Sequence, residues 1–324
     1  MSKTNTRIVS IVLPEMTEEQ RMDIESTVTG YGFESRFYES VQEAEETIRD
    51  AEVLFSTSSK LTKQAENLKW QCSPSAGVNQ FADCEVFKNG QAVLTCSSGA
   101  YGVTIAEHII MMILEVLRRQ AEYTEIVKER KWTRNLPVRS IHGSRITLLG
   151  TGDIGQTAAV RLRSFAPASL TGVNRSGKNP GDLFDTVVKV SDINSVLPET
   201  DILILSLPGT PETKHIIGRE QLALLPDDAL IVNVGRGICI AQKALEKELN
   251  DQRLYAALDV FETEPIPEGD SFWNCPNLLI TPHVAGDTSL PYTVERIVQL
   301  FLEDFVRYAE GRPLKRPVEI TKGY

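Results

Sequence analysis

The chain of 324 residues contains few cysteines, and none of the five belongs to a C-x-x-C pair. They are odd in number and stand far apart, at Cys72, Cys84, Cys96, Cys239 and Cys275. This usage favours reduced thiols, because a secreted domain held by disulfides usually carries an even set. We therefore expect mostly buried thiols in a cytoplasmic protein.

Long apolar segments and clusters of basic residues are also missing. The longest helical apolar face, residues 109–114, is interrupted by Glu115 and Arg118, well short of the about 18 apolar residues of a membrane span. The first residues, MSKTNTRIVSIVL, lack a secretory apolar region. Lysine and arginine number 34 against 44 aspartates and glutamates, giving a net charge of −10 without basic blocks. We therefore expect a protein that handles small molecules, with no membrane and no nucleic-acid partner.

What the sequence does contain is an alternation of β-branched apolar runs and helical patterns. Strands are predicted at residues 7–13, 34–38, 53–56, 70–73 and 92–96, and then at 146–150, 169–173, 187–190, 202–206, 230–234, 255–260 and 278–281. Predicted helices include 17–29 with a capping box, 41–49, a long one at about 104–130 and a last one at about 290–310. Such alternation predicts an α/β fold with two doubly wound parallel sheets, and the length allows two domains. The tail at 311–320 is too polar to be core.

A glycine fingerprint, G-x-G-x-x-G, follows the apolar strand that ends at Leu149. Gly150 allows a sharp turn, Gly152 removes the side chain where a pyrophosphate would approach, and Gly155 allows the helix to pack closely on the strand. The N–H groups at the helix start, at Asp153 and Ile154, form a natural anion site. The strand that ends about 20 residues later supplies the required context, so we predict a dinucleotide site.

The residues after that second strand predict the type of dinucleotide. A carboxylate that would accept the ribose 2′-hydroxyl is missing, and the strand instead ends in Asn174-Arg175-Ser176. Arginine holds a 2′-phosphate by bidentate contact, and Ser176 adds a hydroxyl. We therefore predict a preference for NADP(H) over NAD(H). The alternative is that Arg175 stacks on the adenine and both cofactors bind.

Three further stretches follow strands of the second set, where open α/β sheets bind their ligands. They are NVGRG at 233–237, LDVFETEP at 258–265 and NLLITPHVAG at 277–286. Arg236 stands between glycines and is free to point into a cleft and grip a carboxylate. The fingerprint lies in the middle of the chain, so a dinucleotide-binding domain at 101–286 is expected to be inserted in a first domain of 1–100 and 287–324.

These motifs, together with WQCSPSAGVN, AEHIIMMIL, LLGTGDIGQTAAVRL and LSLPGTPETKHII, resemble those of the D-isomer-specific 2-hydroxyacid dehydrogenase family. The likeness covers nearly the whole chain and keeps the family's order. It implies a Rossmann dinucleotide-binding domain inserted in a flavodoxin-like substrate domain, with the active site in a cleft between them. The AEHIIMMIL helix resembles the segment of the family's two-fold interface, which implies a homodimer; the alternative is that this apolar face belongs to the core of its own domain.

The resemblance also implies roles for individual residues. Arg236 would bind the substrate's carboxylate and carbonyl, and Glu264 would pair with His283, the general acid that protonates the ketone oxygen. The backbone N–H groups of Gly77 and Val78 would hold the substrate carboxylate. Further predicted contacts are Tyr101 in the substrate pocket, Asp259 on the nicotinamide carboxamide, and Leu207, Pro208, Val234, Gly235 and Gly286 along the cofactor. His108, His142 and His215 are interpreted as structural or surface residues, and Glu262 as a solvated neighbour of Glu264 rather than the catalytic partner of His283.

The implied activity is hydride transfer between a nicotinamide and a small 2-oxo acid such as glyoxylate or hydroxypyruvate. Glu264 argues against the related formate dehydrogenases, which pair their histidine with glutamine. A short form of 3-phosphoglycerate dehydrogenase is an alternative that no motif excludes. A nucleotide-sensing scaffold, like the C-terminal-binding-protein corepressors, is an alternative of another class. The sequence does not predict which 2-hydroxy acid is used.

Overall fold

In the computed structural model, which describes residues 6–320, the chain divides into two compact units. The first unit ends at Tyr101 and resumes at Asp287, and the second unit runs from Gly102 to Gly286. Each unit contains one sheet, and every strand pairing in it is parallel. The prediction of two parallel sheets is therefore confirmed.

The strands of the described residues are β1 (Arg7–Ile11), β2 (Phe33–Phe37), β3 (Ala51–Phe55), β4 (Trp70–Ser73), β5 (Val93–Cys96), β6 (Arg145–Leu149), β7 (Ser169–Asn174), β8 (Thr186–Lys189), β9 (Ile202–Leu205), β10 (Leu230–Asn233), β11 (Tyr255–Leu258) and β12 (Leu278–Ile280). The α-helices are α1 (Glu18–Gly30), α2 (Val41–Ala44), α3 (Ser59–Gln64), α4 (Glu85–Lys88), α5 (Gly102–Leu117), α6 (Gln120–Lys128), α7 (Asp153–Arg163), α8 (Arg219–Leu224), α9 (Gln242–Asn250) and α10 (Pro291–Ala309).

The sheet of the first unit has the order β2-β1-β3-β4-β5, which is the flavodoxin-like arrangement. Helix α1 begins at the predicted capping box, because the Thr17 hydroxyl accepts the Gln20 N–H and the Gln20 amide oxygen accepts the Thr17 N–H. Helix α10 packs on this sheet through aromatic rings. Phe301 stacks on Phe55 at a centroid distance of 4.3 Å and on Trp70 at 5.5 Å. The last helix of the chain thus completes the core of the first unit.

The sheet of the second unit has the order β12-β11-β10-β9-β6-β7-β8. Counted from β6, this is the Rossmann order with one more strand at the far edge, and the order reverses beside β6. Its central strands are buried along their whole length, as the apolar runs ILIL of β9 and LIVN of β10 predict. The carboxyl end of β6 therefore lies at the switch point of the sheet, where ligands bind in such folds.

Two predicted helices differ from the structure. The helix predicted at 104–130 is two helices, α5 and α6, because Arg119 takes a left-handed backbone with φ of +58°. Apolar periodicity continues across that break and does not reveal it. The helix predicted at 41–49 is only the single turn α2, followed by a 3-10 turn at Ile48–Asp50.

The polar tail after α10 is hydrogen-bonded to β5 and to α10 of the first unit. The Val318 N–H donates to the Leu94 carbonyl at 2.8 Å, and Asp304 accepts from the Lys315 N–H and from Arg316. Val318 also packs against the small apolar cluster around Phe81. The tail is thus more ordered than its composition predicts.

Within residues 6–320 we find no helix that is long and apolar enough to cross a membrane. The same residues contain no group of three or more histidine, cysteine or acidic side chains that could hold a metal ion. All five cysteines are free, and four of them are buried. Burial raises the pKa of the Cys72 thiol to about 12, so this thiol is unreactive near neutral pH.

Candidate active site

Most of the predicted site residues lie in loops that follow β6, β7, β9, β10, β11 and β12 of the second unit. Because these strands are parallel, all six loops lie along the carboxyl edge of one sheet. Residues far apart in the sequence, such as Gly150 and His283, are thereby brought to the same edge.

The glycine turn between β6 and α7 has the geometry that each of its glycines predicts. Gly150 has a φ of +107°, and a Cβ there would lie 2.8 Å from the Ser206 hydroxyl oxygen. A Cβ at Gly155 would lie 2.1 Å from the Gly150 carbonyl oxygen, so only glycine allows α7 to pack so closely. A Cβ at Gly152 would meet nothing within 4 Å. The open start of α7, at Asp153, therefore suits the pyrophosphate of a dinucleotide.

The turn after β7 is organised by Asn174. Its amide nitrogen donates to the Thr151 hydroxyl at 2.8 Å, which joins the turn to the glycine loop. Its amide oxygen accepts the Gly177 N–H at 2.7 Å and the Ser176 hydroxyl at 3.1 Å. The Asn174 side chain is thus used to shape the turn, and Arg175 is exposed upon it.

The loop that carries Arg236 is packed against its two neighbours. A Cβ at Gly235 would lie 2.6 Å from the backbone of Leu207, and one at Gly237 only 1.8 Å from the Phe261 carbonyl carbon. The buried side chain of Asn233 holds the loop from below, accepting the Gly235 N–H and donating to the Arg236 carbonyl at 3.1 Å each. Sequence reasoning did not identify this role of Asn233, although an asparagine inside an apolar strand end was a visible signal.

Arg236 is half-buried and has no carboxylate within 4.0 Å among the described residues. Among residues 6–320, its guanidinium donates one hydrogen bond, to the Gly235 carbonyl at 2.7 Å. Burial lowers the pKa of the guanidinium, and the nearby Glu264 carboxylate acts in the opposite direction. A buried cation without a bound anion is costly, so this guanidinium is suited to receive the carboxylate of a ligand.

His283 and Glu264 form a direct pair. The Nδ1 of His283 lies 2.6 Å from Oε2 of Glu264, and Oε1 of Glu264 accepts the Phe261 N–H at 2.8 Å. Both carboxylate oxygens are therefore engaged, and the imidazole is held by one nitrogen. The His283 side chain is half exposed, and its Nε2 has no protein partner in the part of the chain that the structure describes. A ring held in this way can deliver or accept a proton at Nε2.

Asp259 is buried below the histidine loop. Its Oδ1 accepts the Thr281 hydroxyl at 2.6 Å and the Val284 N–H at 2.9 Å, and its Oδ2 accepts the Ala285 N–H at 3.0 Å. The carboxylate predicted to contact the nicotinamide is thus also the anchor of the loop that carries His283. Gly286 ends this loop and is half-buried.

A second pair of the same type lies nearby. The Nε2 of His215 is 2.6 Å from Oε1 of Glu262, which also accepts the Gln242 N–H. Glu262 is exposed beside Glu264, and its partner is His215. The structure pairs Glu264, and not Glu262, with His283.

The three predicted substrate contacts of the first unit lie near the end of β4. The Gly77 N–H donates to the Ser75 hydroxyl at 3.1 Å, while the Val78 N–H has no protein acceptor among residues 6–320. The Tyr101 hydroxyl donates to the Pro74 carbonyl at 2.9 Å, and burial raises its pKa to about 12. A cavity of about 360 Å³ lies beside these residues, lined in part by Glu15, Glu39, Ser56, Ser75, Tyr101 and Thr288. Tyr101 supports the loop, and its hydroxyl is not free in this structure.

Comparison with known proteins identifies the family of the chain. The family model for the D-isomer specific 2-hydroxyacid dehydrogenase, NAD binding domain, matches residues 110–285, more than half of the chain. The chain is 30% identical over 260 residues to a glyoxylate/hydroxypyruvate reductase B of Erwinia tasmaniensis, covering 77% of this chain and 80% of that protein. It is 33% identical over 259 residues to a D-3-phosphoglycerate dehydrogenase of Methanocaldococcus jannaschii, covering 76% of this chain and 48% of that protein.

A solved structure is similar over almost the whole chain. It is a D-isomer specific 2-hydroxyacid dehydrogenase family protein from Aeromonas salmonicida, with a TM-score of 0.86 and 28% identity. The match covers 97% of this chain and 99% of that chain.

Fold and comparisons together define an NAD(P)-dependent oxidoreductase that acts on the CH–OH group of 2-hydroxyacids. The chain belongs to the D-isomer specific 2-hydroxyacid dehydrogenase family. The expectations of family, fold and class of enzyme are thereby confirmed.

Proposed function

We propose that this enzyme reduces small 2-oxo acids, with glyoxylate and hydroxypyruvate as its substrate class and NADPH as its preferred reductant. The observation that carries the proposal is the Glu264–His283 pair at 2.6 Å, on the same sheet edge as the Arg236 guanidinium, which has no carboxylate partner among the described residues. A carboxylate receptor and a proton donor are what a 2-oxo acid requires at its two polar groups. The relative from Erwinia tasmaniensis, named for these substrates, supports the choice.

In the proposed reaction, Arg236 binds the substrate carboxylate through its guanidinium and orients the neighbouring carbonyl. His283 gives the proton on Nε2 to the carbonyl oxygen, and Glu264 stabilises the charged imidazole before the transfer and fixes the orientation of the ring. A bound nicotinamide would supply the hydride. In the opposite direction, His283 removes the hydroxyl proton of the 2-hydroxyacid at the same nitrogen.

We assign the dinucleotide to the turn at Gly150, Gly152 and Gly155, with its pyrophosphate on the N–H groups of Asp153 and Ile154. The contacts proposed along its remaining length are Asn174, Arg175, Ser176, Leu207, Pro208, Val234, Gly235, Asp259 and Gly286. The exposed Arg175 on an ordered turn, with the Ser176 hydroxyl beside it, supports a 2′-phosphate there. The second unit is thus proposed as the dinucleotide-binding domain.

We propose the first unit as the substrate domain. The Val78 N–H, which has no acceptor within residues 6–320, supports a role in binding the substrate carboxylate, whereas the Gly77 N–H must leave the Ser75 hydroxyl to do the same. We retain Tyr101 in the substrate pocket through its ring, since its hydroxyl is bonded to Pro74.

A homodimer and a cytoplasmic location are part of the proposal. Several large apolar side chains on or near α5 and α6 are exposed, including Met111 at 39%, Val127 at 68% and Trp132 at 92%. A second copy of this chain would cover such a surface. Gel filtration at micromolar concentration should give the dimer mass, and a single monomer peak would contradict this part.

The experiment that tests the proposed function is a screen of 2-oxo acids with both reduced cofactors. We expect turnover of glyoxylate and hydroxypyruvate, with a kcat/KM at least about tenfold higher with NADPH than with NADH. Preferred oxidation of 3-phosphoglycerate would favour the alternative that the Methanocaldococcus jannaschii relative suggests. A complete lack of turnover with every substrate, despite cofactor binding, would favour a nucleotide-sensing scaffold.

A further inference from the structure

The backbone of the loop that carries His283 is stabilised by hydrogen bonds to a residue outside the loop. His283 has a φ of +56°, a left-handed conformation that is uncommon for residues other than glycine and is retained only where neighbours fix it. Its N–H donates to the Asp259 carbonyl at 2.9 Å, and the next two N–H groups, of Val284 and Ala285, donate to the Asp259 carboxylate. Asp259 is therefore the centre that determines where His283 lies.

The orientation of Asp259 depends on a third donor, the Thr281 hydroxyl, which lies 2.6 Å from Oδ1. A hydroxyl has one proton, and the carboxylate is an acceptor only, so this proton points to Asp259. The Nε2 of His108 lies 3.0 Å from the same hydroxyl oxygen. Because the hydroxyl proton is already used, Nε2 of His108 must carry a proton and donate it to Thr281.

His108 is thus the outer end of a directed chain of hydrogen bonds. It lies on α5, is 13% exposed at its side chain, and its Nε2 is also 3.7 Å from Oδ1 of Asp259. These hydrogen bonds connect His108 to Thr281, Thr281 to Asp259, and Asp259 to the N–H groups of the His283 loop. We propose that His108 is a positioning residue, which fixes the His283 loop through Thr281 and Asp259 without touching the substrate.

The proposal rests on the proposed function in one respect, that His283 is the proton donor. Proton transfer requires the donor within hydrogen-bond reach of the reacting oxygen, and a displacement of about 1 Å reduces rates by about 100-fold. Loss of the His108 donor leaves the Thr281 hydroxyl held by Asp259 alone, so the Thr281 side chain is less restrained and its contact with the carboxylate is less fixed. We therefore expect an effect on the chemical step rather than on the binding of either ligand.

The test compares His108→Leu with His108→Gln, whose amide N–H can donate to Thr281 in place of the imidazole. We expect His108→Leu to lower kcat about tenfold, with the substrate KM and the NADPH Kd within about twofold of the wild type. His108→Gln should restore kcat to within about threefold. His142→Leu is the matched control, since that histidine of the same unit is exposed, and it should leave kcat unchanged.

A double-mutant cycle that combines Thr281→Val with His108→Leu tests whether the two residues act through the same series of hydrogen bonds. If both residues act through one path, the double variant is no slower than the slower single variant. Multiplied effects, or a His108→Leu enzyme with wild-type kcat, would overturn the proposal. Thr281→Ser keeps the hydroxyl and should behave as the wild type, which separates loss of the bond from damage to the fold.

Hydrogen exchange provides a readout that needs no activity. In His108→Leu, amide exchange should become faster in the peptide that covers residues 282–286 and remain unchanged in the strands β6 and β7. An unchanged peptide would also overturn the proposal. If the wild type turned over no 2-oxo acid, the proposed function would fail, and the exchange data would still decide the role of His108.

Discussion

The imidazole of His283 is fixed by Glu264, whose carboxylate lies 2.6 Å from Nδ1 and is itself held by the Phe261 N–H at 2.8 Å. The neighbouring pair has the reverse geometry, with His215 bonded to Glu262 through Nε2. Two pairs of one chemical type therefore have their glutamates on the same loop, after β11, and differ in which histidine nitrogen is bonded. This difference provides a control for the account of catalysis.

Arg236→Lys tests the carboxylate receptor. Lysine keeps the charge but loses the planar pair of donors, so we expect kcat/KM for glyoxylate to fall about 10- to 100-fold, equivalent to one lost charge-assisted hydrogen bond. The NADPH Kd should remain unchanged in fluorescence titration. Arg219→Lys, at the exposed first residue of α8, is the control and should have wild-type kinetics. A lysine enzyme with unaltered kcat/KM would remove Arg236 from the site.

Arg175→Gln tests the selection of cofactor. Loss of the guanidinium removes the proposed partner of the 2′-phosphate, so kcat/KM for NADPH should fall at least about tenfold while that for NADH changes little. Lys214→Gln removes one positive charge elsewhere in the same unit and is the control for the change in net charge. Equal losses with both cofactors would mean that Arg175 contacts the adenine or the common part of the nucleotide.

Gly152→Ala and Gly155→Ala form a pair that separates binding from folding. A methyl group at residue 155 would collide with the Gly150 carbonyl, which is 2.1 Å from its position, so we expect a melting temperature lower by about 2–10 °C. The position at residue 152 is open, so that variant should melt like the wild type and bind NADPH more weakly. Normal NADPH affinity in Gly152→Ala would contradict the assigned pyrophosphate site.

Glu52 predicts a pH dependence of stability in the first unit. Burial acts to raise its pKa, but hydrogen bonds from Arg7 at 2.6 Å and Tyr308 at 2.7 Å outweigh it, so the pKa lies below its ordinary value. The ionised group therefore stabilises the fold above the unfolded pKa of about 4.3, and this stability is lost as the pH falls through the lower folded pKa.

Glu52→Gln should accordingly have a lower melting temperature than the wild type at pH 7. This difference in melting temperature should become smaller below about pH 4.3. Glu34→Gln, which removes an exposed carboxylate from β2, should show little difference at either pH. If the difference in melting temperature between Glu52→Gln and the wild type stayed constant or increased in acid, the lowered pKa of Glu52 would be contradicted.

Much of this molecule could be predicted from its sequence because the relevant signals are local. Strands have apolar runs, the glycines of the turn have a fixed spacing, and Thr17 with Gln20 marks a helix start within four residues. The break at Arg119 was not predictable, because a left-handed residue interrupts the backbone without interrupting apolar periodicity.

The contacts that order the site were harder to predict from the sequence. His108 and Thr281 are separated by 173 residues along the chain, and no pattern within either motif indicates the other. The choice between Glu262 and Glu264 as the partner of His283 rested on resemblance, because both carboxylates stand in the same short loop. Only the positions of the loops show that His215 takes the first and His283 the second.

The most direct test of the central claim is the steady-state kcat of His283→Gln with glyoxylate and NADPH, measured beside His215→Gln. Glutamine cannot donate a proton in the reaction, so we predict that kcat of His283→Gln falls about 10²- to 10⁴-fold while His215→Gln stays close to the wild type. The NADPH Kd should be unchanged in both variants. A His283→Gln enzyme with near wild-type kcat would contradict the account, since the proton would then have another source.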